Sequence, residues 1–234
     1  MAKMRINRFW GFSLLFFLLY ALFTIGLSRL TKDDVLITFA SDLVLCPFIF
    51  YVSRDYKVNG EGRLSVYDGF VAIFCWVLTQ AFGVYLYQTV GSEGFDLYQE
   101  ATNDSTLFIV LTVVLAPIFE ELFFRRFVYG FFREKFSLFY AACISSIFFA
   151  VIHGTIIHIP LCFFLGLLFC YLYEKTGKIW VPMILHGGLN LLGVVGWNPP
   201  GFFQLVSLPI LVVVLLSGIL LYFCVSFIKL DKRH

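Results

Sequence analysis

Charge is what this sequence has least of. Asp, Glu, Lys and Arg make up 14% of its 234 residues, where a soluble domain carries about a quarter. With so little charge, the chain cannot present a wholly water-facing surface. The formal net charge of +2 is too small to draw a polyanion, so nucleic acid is excluded as a partner. None of the six cysteines (Cys46, Cys75, Cys143, Cys162, Cys170, Cys224) forms a CxxC pair; all lie in apolar runs and read as small buried hydrophobes. No internal repeat, low-complexity linker or soluble segment divides the chain. The expectation is a single integral membrane domain over residues 1–234.

What fills the chain instead is apolar: 60% hydrophobic and 20% aromatic, with 30 Phe. Nearly charge-free runs of about 20 residues, long enough to cross a bilayer, recur throughout. They are continuous rather than alternating, so the fold class is all-α, a polytopic membrane helix bundle, and not a barrel. Eight spans are predicted: about Phe9–Ser28, Val35–Ser53, Gly69–Ser92, Thr106–Phe132, Phe136–Ile152, Ile159–Tyr173, Ile179–Gly196 and Phe203–Ile228. The N-terminal run is too long for a signal peptide, and no small-residue cleavage site follows it, so it reads as an uncleaved first span. Lys and Arg cluster on alternate loops. Arg54, Lys57 and Arg63, then Arg125, Arg126, Arg133 and Lys135, then Lys175 and Lys178, then Lys229, Lys232 and Arg233 fall on the side of the basic N-terminus. Loops 92–105, 153–158 and 197–202 have none; the turn with Arg29 and Lys32 is the exception. By the positive-inside rule both termini are cytoplasmic.

Within the fourth span stands "APIFEELFFRRF", Ala116–Phe127. A Glu or Arg at mid-membrane costs about 2.5–3.5 kcal/mol on the insertion scale, and each Leu, Ile, Phe or Val returns only about 0.3–0.6. Glu121 and Arg125, spaced i,i+4, read as a structural ion pair; Arg126 is expected to snorkel toward the cytoplasm. Glu120 lies about 140° around the helix from Arg125 and has no partner on its own helix. Its partners must come from other spans. Candidates are His153, in "FAVIH", and His186 with Asn190, in "HGGLN", the last two on one helical face. Together these supply a base, a second proton carrier and donors for a developing oxyanion, the parts of a water-activating site. Depth is a test. Glu120 lies roughly 20 Å from Arg133, His186 about 12 Å from Lys178 and His153 roughly 24 Å from Ser137, so a shared site needs a submerged fifth span or tilted helices. Asp42, Gln80 and His158 are weaker polar candidates, with His158 expected in an outer loop.

Glu120–Arg125 fits EExxxR, Phe149–His153 fits FxxxH and His186–Asn190 fits HxxxN. In this order, in a polytopic chain, they resemble the CPBP family, which embraces CAAX prenyl endopeptidases and bacteriocin-processing or immunity proteins (the Abi family). The resemblance covers about residues 105–195. It implies an intramembrane glutamic-type endopeptidase in which Glu120 activates water with His153, His186 and Asn190 hold the oxyanion, Glu121, Arg125 and Phe149 support the site, and no metal or cofactor takes part. A peptide or membrane protein is the implied substrate, and a bacterial cell membrane the expected location. Three alternatives stand beside it. A zinc protease would use Glu120, His153 and His186 as ligands, although HExxH is absent. A non-catalytic regulatory or immunity scaffold would need no reaction. A transporter would use discontinuous spans, although no repeat is visible. Serine and aspartyl intramembrane chemistry fits worse: "GFSL" at Gly11–Leu14 has no partner, and no GxGD follows "VYD" at Val66–Asp68.

Overall fold

The computed structural model describes residues 2–56, 58, 60, 62–77, 106–153, 158–194 and 209–231. Among these there is no strand. Eight helical segments follow in chain order: α1 Ala2–Ser28, α2 Asp34–Ser53, α3 Val66–Val77, α4 Thr106–Arg133, α5 Leu138–Ile152, α6 His158–Thr176, α7 Trp180–Val194 and α8 Pro209–Asp231. Each coincides with one predicted span. By length and composition α1, α2, α4 and α6 can each cross a bilayer, whereas α3, α5 and α7 are apolar but shorter. The predicted extension of α3 to Ser92, the acidic loop after it, Gln80 and the "WNPPG" turn lie outside the described residues. His158 opens α6 rather than sitting in the loop before it.

Many large apolar side chains face outward: Leu14 is 73% exposed, Ile184 67% and Leu221 64%. On a water-soluble protein such surface would be a liability; on a bundle in lipid it is the solvated face. With these spans the chain is an integral membrane protein. Local chemistry sets the ends. Asp33 caps α2, its Oδ1 accepting the Leu36 N–H at 3.0 Å. Gly177, at φ +66°, ends α6 in the left-handed conformation that glycine takes without strain, its N–H returning to the Tyr173 carbonyl at 2.8 Å.

α4 runs through the middle of the bundle and departs twice from α-helical geometry. Leu111–Leu115 and Leu122–Tyr129 are π-helical, on either side of Glu120 and Glu121. The first departure has a cause in the sequence. Pro117 has no N–H, and the Ala116 N–H bonds the Leu111 carbonyl, so the Thr112 carbonyl has no backbone donor. The Asn190 side chain fills that gap from α7, Nδ2 donating to the Thr112 carbonyl at 2.8 Å. In the second stretch the Ser145 hydroxyl of α5 donates to the Phe124 carbonyl at 2.7 Å.

Around the lower part of α4 lies the core. Phe124, Phe127, Val128, Tyr129 and Phe131 are all buried, and the rings of Phe9 and Phe131 stack with centroids 3.7 Å apart. Polar clamps close the basic end. Tyr129 Oη donates to Glu174 at 2.6 Å, Arg133 reaches Glu174 at 3.4 Å, and the Lys175 ammonium pairs with Asp68 at 2.6 Å.

Candidate active site

Three helices converge where α4 carries its glutamates. Their approach depends on a small residue. At Gly187 of α7 a Cβ would collide with the Val113 carbonyl oxygen, so only glycine allows the α4 and α7 backbones this close. That contact brings the neighbouring His186 onto α4. Its Nδ1 lies 2.9 Å from Glu121 Oε1, and the carboxylate accepts. Phe169 stacks on the imidazole at 5.0 Å, so the ring is fixed on two sides.

The i,i+4 pair forms as expected: Arg125 Nη1 stands 3.1 Å from Glu121 Oε1, with both side chains fully buried. The contact is an ion pair without hydrogen-bond alignment, since the guanidinium nitrogens have no aligned acceptor. What surrounds Arg125 is aromatic: its Cζ lies 4.1 Å from the Phe149 ring centroid and 5.0 Å from that of Phe169. Phe149 therefore carries the cation, and also meets the His153 ring at 4.6 Å. Arg126 does not snorkel. It is buried, with its guanidinium 4.9 Å from the Phe50 ring of α2; the widened π turn directs it into the α2 interface.

His153 is the C-cap of α5. Its backbone N–H turns to the Ala150 carbonyl at 3.2 Å, which leaves the Phe149 carbonyl to the imidazole, Nδ1 at 2.7 Å. A carbonyl only accepts, so Nδ1 bears the proton and Nε2 faces the site. His153 Nε2 and His186 Nε2 each stand 3.9 Å from the same atom, Glu120 Oε2. That oxygen has no direct hydrogen-bond partner among the described residues. The depth mismatch is thus absorbed. α5 has fifteen residues, about 22 Å at 1.5 Å each, short of a hydrocarbon core of about 30 Å. Its end stops inside the membrane, at the level of Glu120.

Glu120 is less enclosed than the sequence suggested. Its side chain is 20% exposed and that of His153 29%. The structure also adds residues that no motif indicated: Tyr20 of α1, whose ring lies 6.4 Å from that of Phe119, and Asp42 of α2 lie close enough to interact electrostatically with each other and with Glu120. An aspartate in an apolar span was the only signal for that pair. Among the described residues no group of three or more His, Cys, Asp or Glu is arranged to hold a metal ion.

Residues 102–192 match the family described as Type II CAAX prenyl endopeptidase Rce1-like. Among curated proteins the chain is 30% identical over 128 residues to YdiL of Bacillus subtilis, whose name describes a membrane peptidase; the match covers 54% of this chain and 52% of that protein. It is 26% identical over 180 residues to the membrane-embedded CAAX protease MroQ of Staphylococcus aureus, covering 68% and 72% of the two chains. It is 32% identical over 105 residues to the UPF0177 protein YbdI of Lactococcus lactis, covering 40% and 54%. The chain thus spans about half the length of the first of these relatives. No solved structure matches it. The matched stretch, residues 102–192, holds every charged and polar side chain of the EExxxR, FxxxH and HxxxN motifs and is similar to the Rce1-like CAAX prenyl endopeptidases.

Proposed function

We propose that the chain, as one membrane domain, is an intramembrane endopeptidase of the glutamic type that hydrolyses a peptide bond in a peptide or membrane protein. The observation that carries this reading is the pair of 3.9 Å separations from Glu120 Oε2 to the two imidazole Nε2 atoms. Polar atoms at that spacing are too far apart to bond and are spanned by one water at about 2.8 Å from each. Glu120 takes a proton from that water as its oxygen adds to the scissile carbonyl, with His153 Nε2 holding the water. The proton leaves on the departing amine. Glu121 accepts from His186 Nδ1 at 2.9 Å and so fixes the ring with Nε2 directed toward the side where the oxyanion develops. Asn190 gives one N–H to Thr112 and keeps its second for the same oxyanion.

The zinc alternative is less well supported. Ligand atoms about 2.0–2.1 Å from a tetrahedral zinc sit roughly 3.3 Å apart, closer than the 3.9 Å here, and Asn190 serves a backbone carbonyl rather than a ligand. The membrane is proposed to be a bacterial cell membrane, with both termini cytoplasmic. The experiment is cleavage of a peptide library by purified protein in detergent. Cleavage by the native chain and none by a folded Glu120→Gln variant is the expected result; full activity of that variant would overturn the mechanism.

A further inference from the structure

Deepening the protease reading, on which it rests, we propose that Ser145 is a positioning residue for that reaction: its hydroxyl pins α5 to α4 and so sets where His153 stands beside Glu120. Ser145 lies outside the EExxxR, FxxxH and HxxxN motifs.

A hydroxyl inside an apolar helix has an easy partner, the carbonyl one turn back on its own helix. Ser41 bonds the Ile37 carbonyl in this way at 2.7 Å, and Thr24 the Tyr20 carbonyl at 2.9 Å. Ser145 reaches across instead. Fully buried on α5, it donates to the Phe124 carbonyl of α4 at 2.7 Å. That acceptor lies within the π-helical stretch Leu122–Tyr129, where the regular α-helical ladder is interrupted. The bond therefore fastens α5 to the part of α4 that carries Arg125.

Ser145, Phe149 and His153 follow at four-residue intervals and share one face of α5. Each meets α4. The Phe149 ring lies 5.4 Å from that of Phe124 and 4.1 Å from Arg125 Cζ, and His153 Nε2 stands 3.9 Å from Glu120 Oε2. Ring contacts and an unbonded 3.9 Å separation tolerate sliding and rotation. The Ser145 bond does not, because a hydrogen bond weakens steeply away from its geometry. Of the three contacts it is the one that fixes the register of α5. The imidazole follows that register, since Nδ1 is held to the Phe149 carbonyl of its own helix at 2.7 Å. His153 lies about 12 Å along α5 from Ser145, at about 1.5 Å per residue, so a slide or rotation at the pin is carried to Nε2. The neighbouring Ser146 is equally buried but turns to α6, where it lies against Gly166.

The test compares Ser145→Ala with Ser146→Ala in the purified chain, each losing one buried hydroxyl from the same helix. A single hydrogen bond between spans adds little to stability, so both variants should fold with Tm near the native value. A displacement of about 1 Å can cost about 10²-fold in rate, so Ser145→Ala should lower kcat about 10–10²-fold with KM near native. Ser146→Ala should keep the native kcat. A native kcat in Ser145→Ala, an equal fall in both variants or a change confined to KM would overturn the proposal. Amide hydrogen exchange reads the same pin without catalysis: residues 149–153 should exchange faster in Ser145→Ala than in the native chain or in Ser146→Ala. Exchange alike in the two variants would also overturn it. A native chain that cleaves nothing would sink the protease reading alone, and exchange would still decide whether Ser145 holds α5.

Discussion

Glu120 and Glu121 are neighbours with opposite liabilities, and one substitution at each separates them. Glu121→Gln keeps the side chain's size and an oxygen that can still accept from His186 Nδ1, but removes the charge 3.1 Å from Arg125. The guanidinium stays fully buried. The rings of Phe149 and Phe169 over it are the same in both proteins and leave the difference untouched. Breaking a buried pair by removing one partner costs about 3–5 kcal/mol. Because Gln retains the acceptor, the loss falls near the lower end, about 3 kcal/mol, which at roughly 2–4 °C per kcal/mol for a chain of this size lowers Tm by about 6–12 °C. Glu120→Gln neutralises a carboxylate whose Oε2 has no direct partner among the described residues, so its Tm should be unchanged or higher while cleavage is lost. Thermal melts of both variants in one detergent, followed by tryptophan fluorescence, measure the contrast. Equal depression of Tm, or a stable Glu121→Gln, would refute the assignment of Glu121 as the structural partner and Glu120 as the reacting one.

Asn190→Ala should lose about 10²–10³ in rate if its second N–H serves the oxyanion, and about 1–3 kcal/mol of stability from the orphaned Thr112 carbonyl; steady-state kinetics beside a melt reads both. Gly187→Ala forces α4 and α7 apart, costing about 1–3 kcal/mol, and should lower kcat as His186 withdraws from Glu120; an unchanged kcat would show that the close helix contact does not position the histidine. Purified protein should carry no stoichiometric zinc, and chelation should leave cleavage intact; one bound equivalent, with activity returning only on adding zinc back, would promote the metal reading.

The sequence by itself determined the class and the spans. Continuous apolar runs in a chain with so little charge leave helices in a bilayer as the only way to satisfy the backbone, and Lys and Arg divide the loops into two sets. It also isolated Glu120, because 100° per residue separates it from Arg125 whatever surrounds the helix, and it paired Glu121 with Arg125 because that contact is local. What it could not supply were relations between helices. The meeting of His153 and His186 at one oxygen of Glu120 depends on where α5 stops and on how closely Gly187 lets α7 approach, and neither distance is encoded in spacing along one helix. The bond from Asn190 to Thr112 required both the carbonyl orphaned by Pro117 on α4 and the register of α7 against it. Arg126 was misread for the same reason: its position near the end of an apolar run suggests the cytoplasm, but the π-helical turn that directs it onto Phe50 is stabilised in part by a hydroxyl from α5. Asp42 stayed ambiguous in sequence because the groups near it, Tyr20 and Glu120, belong to different helices. Only packing α1 and α2 against α4 brings the three together.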